Sequence, residues 1–162
     1  MKLDQVRSIA LFFALGLMDQ KSAQQAAQKT IASLKAKYGD RPLSPEAPLW
    51  TTAAVLAECR KEWKAHARSL PGHRVRTGDE HFVFPTDFDL NVWRRYQKDA
   101  PEEDVMATLM KHLFHATDEE LAEGLQTSVG TIRFRLGKSV RQLGLSIRSQ
   151  TLGSSKTDRS HE

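Results

Sequence analysis

The chain has 162 residues, 40% of them hydrophobic, a net charge of +4 and a pI near 9.3. That is enough for one domain or two small ones, and the basic balance favours an anionic partner without naming it. The single cysteine, Cys59, excludes an internal disulfide framework and a cysteine-based zinc cluster. A reducing cytoplasm fits this usage, and Cys59 is expected as a small buried residue.

Leu3 to Met18 reads as a strongly apolar helix. Its run Ile9–Met18 follows Lys2 and Arg7 and has the outline of a signal-peptide core. Asp4 lies among the bases, however, Asp19 closes the run, and no small-x-small cleavage site follows promptly. The run is also too short to span a bilayer, so a buried helix is expected and membrane insertion is not. Ser22 to Tyr38 reads as a second helix, with Ala23, Ala27, Ile31, Leu34 and Tyr38 along one side. Gly39 holds the stop position before Asp40-Arg41-Pro42. Pro42, Pro45 and Pro48 make a stiff loop. Leu49 to Leu70 then reads as a third helix, with Trp50 and Trp63 as core anchors rather than base-stacking groups. Residues 1–70 thus form a three-helix unit.

Residues 71–100 read as a linker that docks on a neighbour. It holds Thr77-Gly78, the segment HFVFPTDFD and a short helix, Asn91–Lys98, anchored by Trp93 and Tyr96. Residues 101–150 read as a second three-helix unit. Pro101 starts the helix Glu102–His112 from a favourable first-turn position. Thr117 and Glu120 form a capping-box pattern, and Asp118, Glu119 and Glu120 suit the positive end of the next helix. Leu121, Ala122 and Leu125 give it an apolar side. The chain breaks at Gln126-Thr127, and Ser128 caps a further helix. There Val129, Ile132, Leu136, Val140 and Leu143 make one buried stripe. Residues 151–162 are polar and expected to be disordered. The fold class is therefore all-α, two small helical lobes joined by a linker.

Charge is polarised across the second lobe. Ala100–Gln126 carries seven acids and one base, net −6, while Thr127–Gly153 carries five bases and no acid, net +5. An acidic amphipathic helix, a short turn and a basic helix are the layout of a helix-turn-helix that sets its second helix in a DNA major groove. A merely solvated charged helix pair is the plainer alternative.

These residues carry a resemblance. DEELAEGLQTSVGTIRFRL resembles the region-4 helix-turn-helix of bacterial sigma factors of the extracytoplasmic-function type. Glu119, Glu120, Leu121, Ala122, Leu125, Ser128, Gly130, Thr131, Ile132, Arg133, Arg135 and Leu136 follow that pattern. Ser22–Ile31 resembles the region-2 pattern, with Ala23, Gln28 and Thr30 matching directly. Leu49–Ala54 resembles the segment that opens the next family helix, where Arg60, Lys61, Lys64 and Arg68 stand at basic positions.

The resemblance implies a transcription-initiation protein that binds RNA polymerase core and promoter DNA, without a cofactor and without enzymatic activity. A regulatory partner such as an anti-sigma factor follows from the same family. Gln24, Gln25, Gln28 and Lys29 would lie on the polymerase-binding helix, where the family is usually acidic at Gln24, Gln25 and Lys29. Ser128, Thr131, Arg133, Arg135, Lys138 and Arg141 would meet the −35 element, the arginines through phosphate or guanine. Arg60, Lys64 and Arg68 would follow the backbone near the −10 element. For Arg135 the structural alternative is an ion pair with Glu119 or Glu123. For the α-helical bases around Arg60, interleaved Glu58 and Glu62 make a salt-bridged surface the alternative. Phe134 fits a thymine methyl, a partner protein or the linker. Two functional alternatives remain: a sigma-like regulator or protein-interaction module that no longer directs polymerase, and an unrelated helix-turn-helix regulator. Enzymatic readings find little: His112 and His115 lack an evident third metal ligand, and Asp87 and Asp89 lack the rest of a calcium loop.

Overall fold

The apolar run near the start folds as the helix α1 (Lys2–Leu17), which buries Ile9, Phe12, Phe13, Ala14 and Leu15. The computed structural model describes the backbone of residues 2–17, 19–41, 48–69 and 90–157, and side chains of 5–17, 19–41, 48–66 and 90–148. Asp19 caps α2 (Gln20–Tyr38) by accepting from the Ser22 N–H at 2.8 Å, and Gly39 ends it at φ 78°. Ala23, Ala26, Ala27, Thr30 and Leu34 are the buried side of α2, so small residues face its neighbours. Tyr38 departs from the expected stripe: it is the last helical residue and is exposed.

The third helix, α3 (Thr52–Ser69), begins three residues later than expected. The reason is Trp50, whose groups are used across the chain rather than along a helix. Its carbonyl accepts from Gln5 Nε2 at 2.8 Å, and its Nε1 donates to the Gly39 carbonyl at 2.9 Å. Gly16 lets the Trp63 ring lie on α1, since a Cβ at Gly16 would overlap that ring. Glu58, almost fully buried, ties α3 to α2 by pairing with Lys37 and accepting from Ser33 Oγ at 2.8 Å. Burial pushes the Glu58 carboxyl up, but the bonds from Lys37 and Ser33 outweigh it and hold the group below its ordinary range. Burial, with the neighbouring Glu58 charge adding to it, pushes the Cys59 thiol well up, as suits the inert packing role expected of it.

The remaining helices are α4 (Leu90–Asp99), α5 (Glu102–Phe114), α6 (Asp118–Leu125) and α7 (Val129–Thr157). Among the described residues there are seven helices and no strand, an all-α chain. The loop at 42–47, the linker segment 70–89 with Asp87 and Asp89, and 158–162 lie outside the described residues, as does the Arg68 side chain. One expectation changes at the end of the chain. The backbone of α7 continues to Thr157, seven residues into the stretch expected to be disordered.

The two lobes are packed against each other. Ser8 Oγ of α1 donates to the Leu113 carbonyl of α5 at 2.9 Å, and Phe12 and Phe114 bring their rings within 6.2 Å. α6 lies across α3, with Leu56, Leu121 and Leu125 buried in a single apolar cluster that includes residues of all seven helices. α4 bridges the halves: Trp93 Nε1 donates to the Leu15 carbonyl at 2.9 Å, and Gln97 Nε2 donates to the carbonyls of Leu15 and Gly16. The anchoring of Trp93 and Tyr96, read from the sequence, is thereby given its geometry. Among the described residues no helix is long and apolar enough to cross a membrane.

Two helical glycines should respond to one substitution with opposite sign. A Cβ at Gly124 would stand 2.6 Å from the Leu56 Cβ, whereas a Cβ at Gly137 meets nothing within 4 Å. Gly124→Ala is expected to destabilise by about 1–3 kcal/mol through overpacking. Gly137→Ala is expected to stabilise by about 1 kcal/mol through helix propensity. Urea unfolding of the two variants checks both.

Candidate nucleic-acid interface

The helix-turn-helix is built from local bonds. Thr117 Oγ1 accepts from the Glu120 N–H at 3.1 Å, and Glu120 Oε2 accepts from the Thr117 N–H at 2.8 Å. This closes the capping box of α6. The turn passes through Gln126 at φ 53°, ψ 54°, a left-handed conformation that costs a non-glycine residue about 1–2 kcal/mol. The Gln126 side chain is not idle there, since its Oε1 accepts from an Arg60 guanidinium nitrogen at 2.7 Å. Ser128 then caps α7, with Oγ accepting from the Thr131 N–H at 3.1 Å and paired with Thr131 Oγ1 at 2.9 Å.

α7 turns Ile132 and Ser139 into the protein, with Val129, Leu136 and Leu143 half-buried. Val140 does not join them: it is 66% exposed. The physical reason is helical geometry: eight residues after Ile132, Val140 lies about 80° around the helix from it, on the side away from Ser139, and so falls off the core side. Ser128, Gly130, Arg133, Phe134, Gly137 and Arg141 form the exposed side.

The basic residues divide into two sets. Arg133 is 67% exposed and reaches back to Asp118 at 3.0 Å. Arg135 and Lys138 turn inward to Asp104 of α5, at 3.7 Å and 3.1 Å, and Asp104 is almost fully buried. The ion pair considered for Arg135 therefore exists, but its partner is Asp104 and not Glu119 or Glu123. Beside it, Tyr96 of α4 donates to Ser139 Oγ at 2.7 Å and meets Thr108 Oγ1 at 3.2 Å, while Ser139 donates to the Arg135 carbonyl at 3.0 Å. Burial pushes the Tyr96 hydroxyl up, so it stays protonated and donating. This buried network clamps α7 against α4 and α5. Neither Asp104 nor Ser139 carries a signal of this network in the sequence, because the groups that complete it come from separate helices.

Arg60 meets the helix-turn-helix at its turn. Arg60, Lys61 and Lys64 line an open groove of about 550 Å³ with Ala57, Ala65, Gly124 and Gln126. Part of the basic face of α3 and the turn of the second lobe thus share one surface. Lys61 also lies 3.8 Å from Glu58, whereas Glu62 is half-buried. Gln24, Gln25, Gln28 and Lys29 are all exposed on α2, away from its buried alanines, and α2 contains no acid. His112 and His115 lie with Arg7 along a groove between α1, α3 and α5. Among the described residues no three metal-ligating side chains converge.

The chain superposes on the sigma factor RpoE, solved in complex with the anti-sigma factor NepR from Bartonella quintana. The TM-score is 0.71 over 90% of this chain and 93% of that one, at 15% identity. The fold is that of a sigma factor. No family model and no curated protein matches the sequence.

Two outcomes test the electrostatics. The bond from Arg133, then that from Lys111, holds the Asp118 carboxyl below its ordinary value of 3.8. A depressed carboxylate contributes stability above its unfolded pKa and loses it as pH falls through the folded one. The stability difference between the native chain and Asp118→Asn is therefore expected to be full at pH 6 and to shrink below about pH 4. Denaturant midpoints across that range measure it. Asp104→Asn leaves Arg135 and Lys138 without their carboxylate and is expected to destabilise by about 2 kcal/mol, read by thermal unfolding.

Proposed function

We propose that the chain is a sigma-factor-like transcription initiation protein that binds promoter DNA through α6–α7 and RNA polymerase core through its first lobe. One observation carries this reading: a capped helix-turn-helix whose recognition helix exposes Ser128, Arg133 and Arg141, set within a sigma-factor fold over 90% of the chain. Ser128 and Thr131 lie where backbone N–H groups at a helix start favour phosphate. Of the α7 cations assigned to the DNA face, Arg133 and Arg141 are the exposed ones, open to phosphate or guanine. Arg135 and Lys138 act chiefly by seating α7 through Asp104, and Arg60 by fixing the turn through Gln126. Gln24, Gln25, Gln28 and Lys29 are the face offered to polymerase. No catalytic role is assigned, and the cytoplasm is the proposed location.

The acid-free surface of α2 favours a second reading, a sigma-like regulator that has kept DNA binding and no longer directs polymerase. The comparison protein was solved with an anti-sigma factor, which supports a regulatory protein as an additional partner under either reading.

Duplex DNA titrated by fluorescence anisotropy over a range of salt tests the DNA half. Arg133→Ala is expected to weaken binding and to lower the salt slope by about one. Unchanged affinity and slope in both Arg133→Ala and Arg141→Ala would remove groove insertion from the reading.

A further inference from the structure

Phe134 stands in solvent on the first half of α7, 67% exposed. At 100° per residue it lies about 160° around the helix from buried Ile132 and about 140° from buried Ser139. Its place on the helix is therefore opposite the core. The described part of the linker, α4, meets α7 at Ser139 and so lies on the other side from Phe134.

The neighbours of Phe134 along the outward face are Gly130, four residues before it, and Gly137, three after it. Exposed Arg141, seven residues on, stands about 20° from it around the helix. A Cβ at Gly137 would meet nothing within 4 Å, and one at Gly130 would meet Ser128 Oγ at 3.8 Å. Packing inside the fold thus calls for neither glycine, although glycine inside a helix costs stability. The pair leaves bare backbone before and after the ring, so a surface can come close to the helix there while the ring alone projects.

This shape selects the occupant. A protein partner is held by clustered large side chains that exclude water together. Here a single ring stands between two glycines, with a cation beyond. Phosphate and sugar gain little from a phenyl group. At base edges in the major groove the apolar feature is the C5-methyl of thymine, and phenylalanine is among the side chains that contact it. Ser128 at the helix start and Arg141 are the polar groups beside it that suit a phosphate backbone.

We propose that Phe134 sets base preference in the bound duplex by packing its ring on a thymine methyl in the major groove. The inference rests on the DNA half of the proposed function and names the base feature that α7 reads. A phenyl group neither donates nor accepts a conventional hydrogen bond, so the methyl is what it distinguishes. Burial of one methyl corresponds to about fourfold in affinity.

The probe is a random-sequence duplex pool enriched on the full chain. The enriched duplex is synthesised twice, once with thymine and once with deoxyuridine, which keeps the hydrogen-bonding groups and lacks the methyl. The native chain is expected to bind the thymine duplex about fourfold more tightly. Phe134→Ser is expected to bind both duplexes alike, at the native affinity for the deoxyuridine duplex. Phe134→Leu, which keeps an apolar tip, is expected to retain part of the preference. The position is exposed, and circular dichroism verifies that the variants keep their helices; if Phe134→Ser does not, Phe134→Gln takes its place. Equal affinity of the native chain for the two duplexes overturns the proposal. So does a thymine preference that survives in Phe134→Ser, including an equal loss on both duplexes, which would assign the ring to the backbone or to an unstacked base. Those outcomes leave salt-dependent duplex binding by the native chain in place and so spare the DNA reading. Absence of duplex binding at low salt removes both.

Discussion

Gly124 has no side chain, and α6 can therefore lie across α3 with Leu56 directly beneath it. The position of the helix-turn-helix depends on this contact. α6 brings Leu121 and Leu125 into the same apolar cluster as Leu56 and Val55, and the turn at Gln126 then falls within reach of Arg60. Burial of apolar surface across this junction supplies the driving force. The Arg60–Gln126 bond sets the register and offsets part of the strain of a left-handed glutamine. A second junction, made by Ser8, Leu113, Phe12 and Phe114, joins α1 to α5. Two separate contacts fix both position and rotation, where one would leave a hinge.

The second lobe is set from inside by polar groups rather than by apolar packing alone. Asp104, Arg135 and Lys138 form a partly buried ion-pair set beside the Tyr96–Thr108–Ser139 hydrogen bonds. Such networks are costly when incomplete and specify geometry when satisfied. Here they fix which side of α7 faces outward. Two of its cations are thereby committed to the protein, and Arg133, Arg141 and Arg148 are its exposed cations among the described side chains. The clamp thus defines the face that would approach DNA while removing Arg135 from it.

Much of the fold was legible because local signals agree. Asp19 and Gly39 bound α2, the Thr117–Glu120 box opens α6, and Ser128 caps α7; each is a short-range bond that a sequence announces. Trp50, Trp63, Trp93 and Tyr96 are large enough that burial was their expected fate. The failures lie where distance or drift decides. Nothing near Gly124 or Arg60 in sequence reveals that they meet the other lobe, because a close approach is a property of two segments. Val140 was misplaced because steps of four add up: eight residues after Ile132 it stands about 80° around the helix from that buried position. The basic residues of α7 were legible as a charged helix, but their division into inward and outward sets required Asp104, a residue of α5. The neutral Gln24 and Gln25 surface is visible in both sequence and structure, and its chemistry alone leaves two functions in competition.

Polymerase binding separates those functions most directly. Co-sedimentation of the full chain with bacterial RNA polymerase core, alongside an established sigma factor as reference, is the decisive measurement. The sigma-like reading predicts that the chain travels with core and that reversing charge at Lys29 changes the affinity. A chain that stays free of core where the reference binds would contradict it.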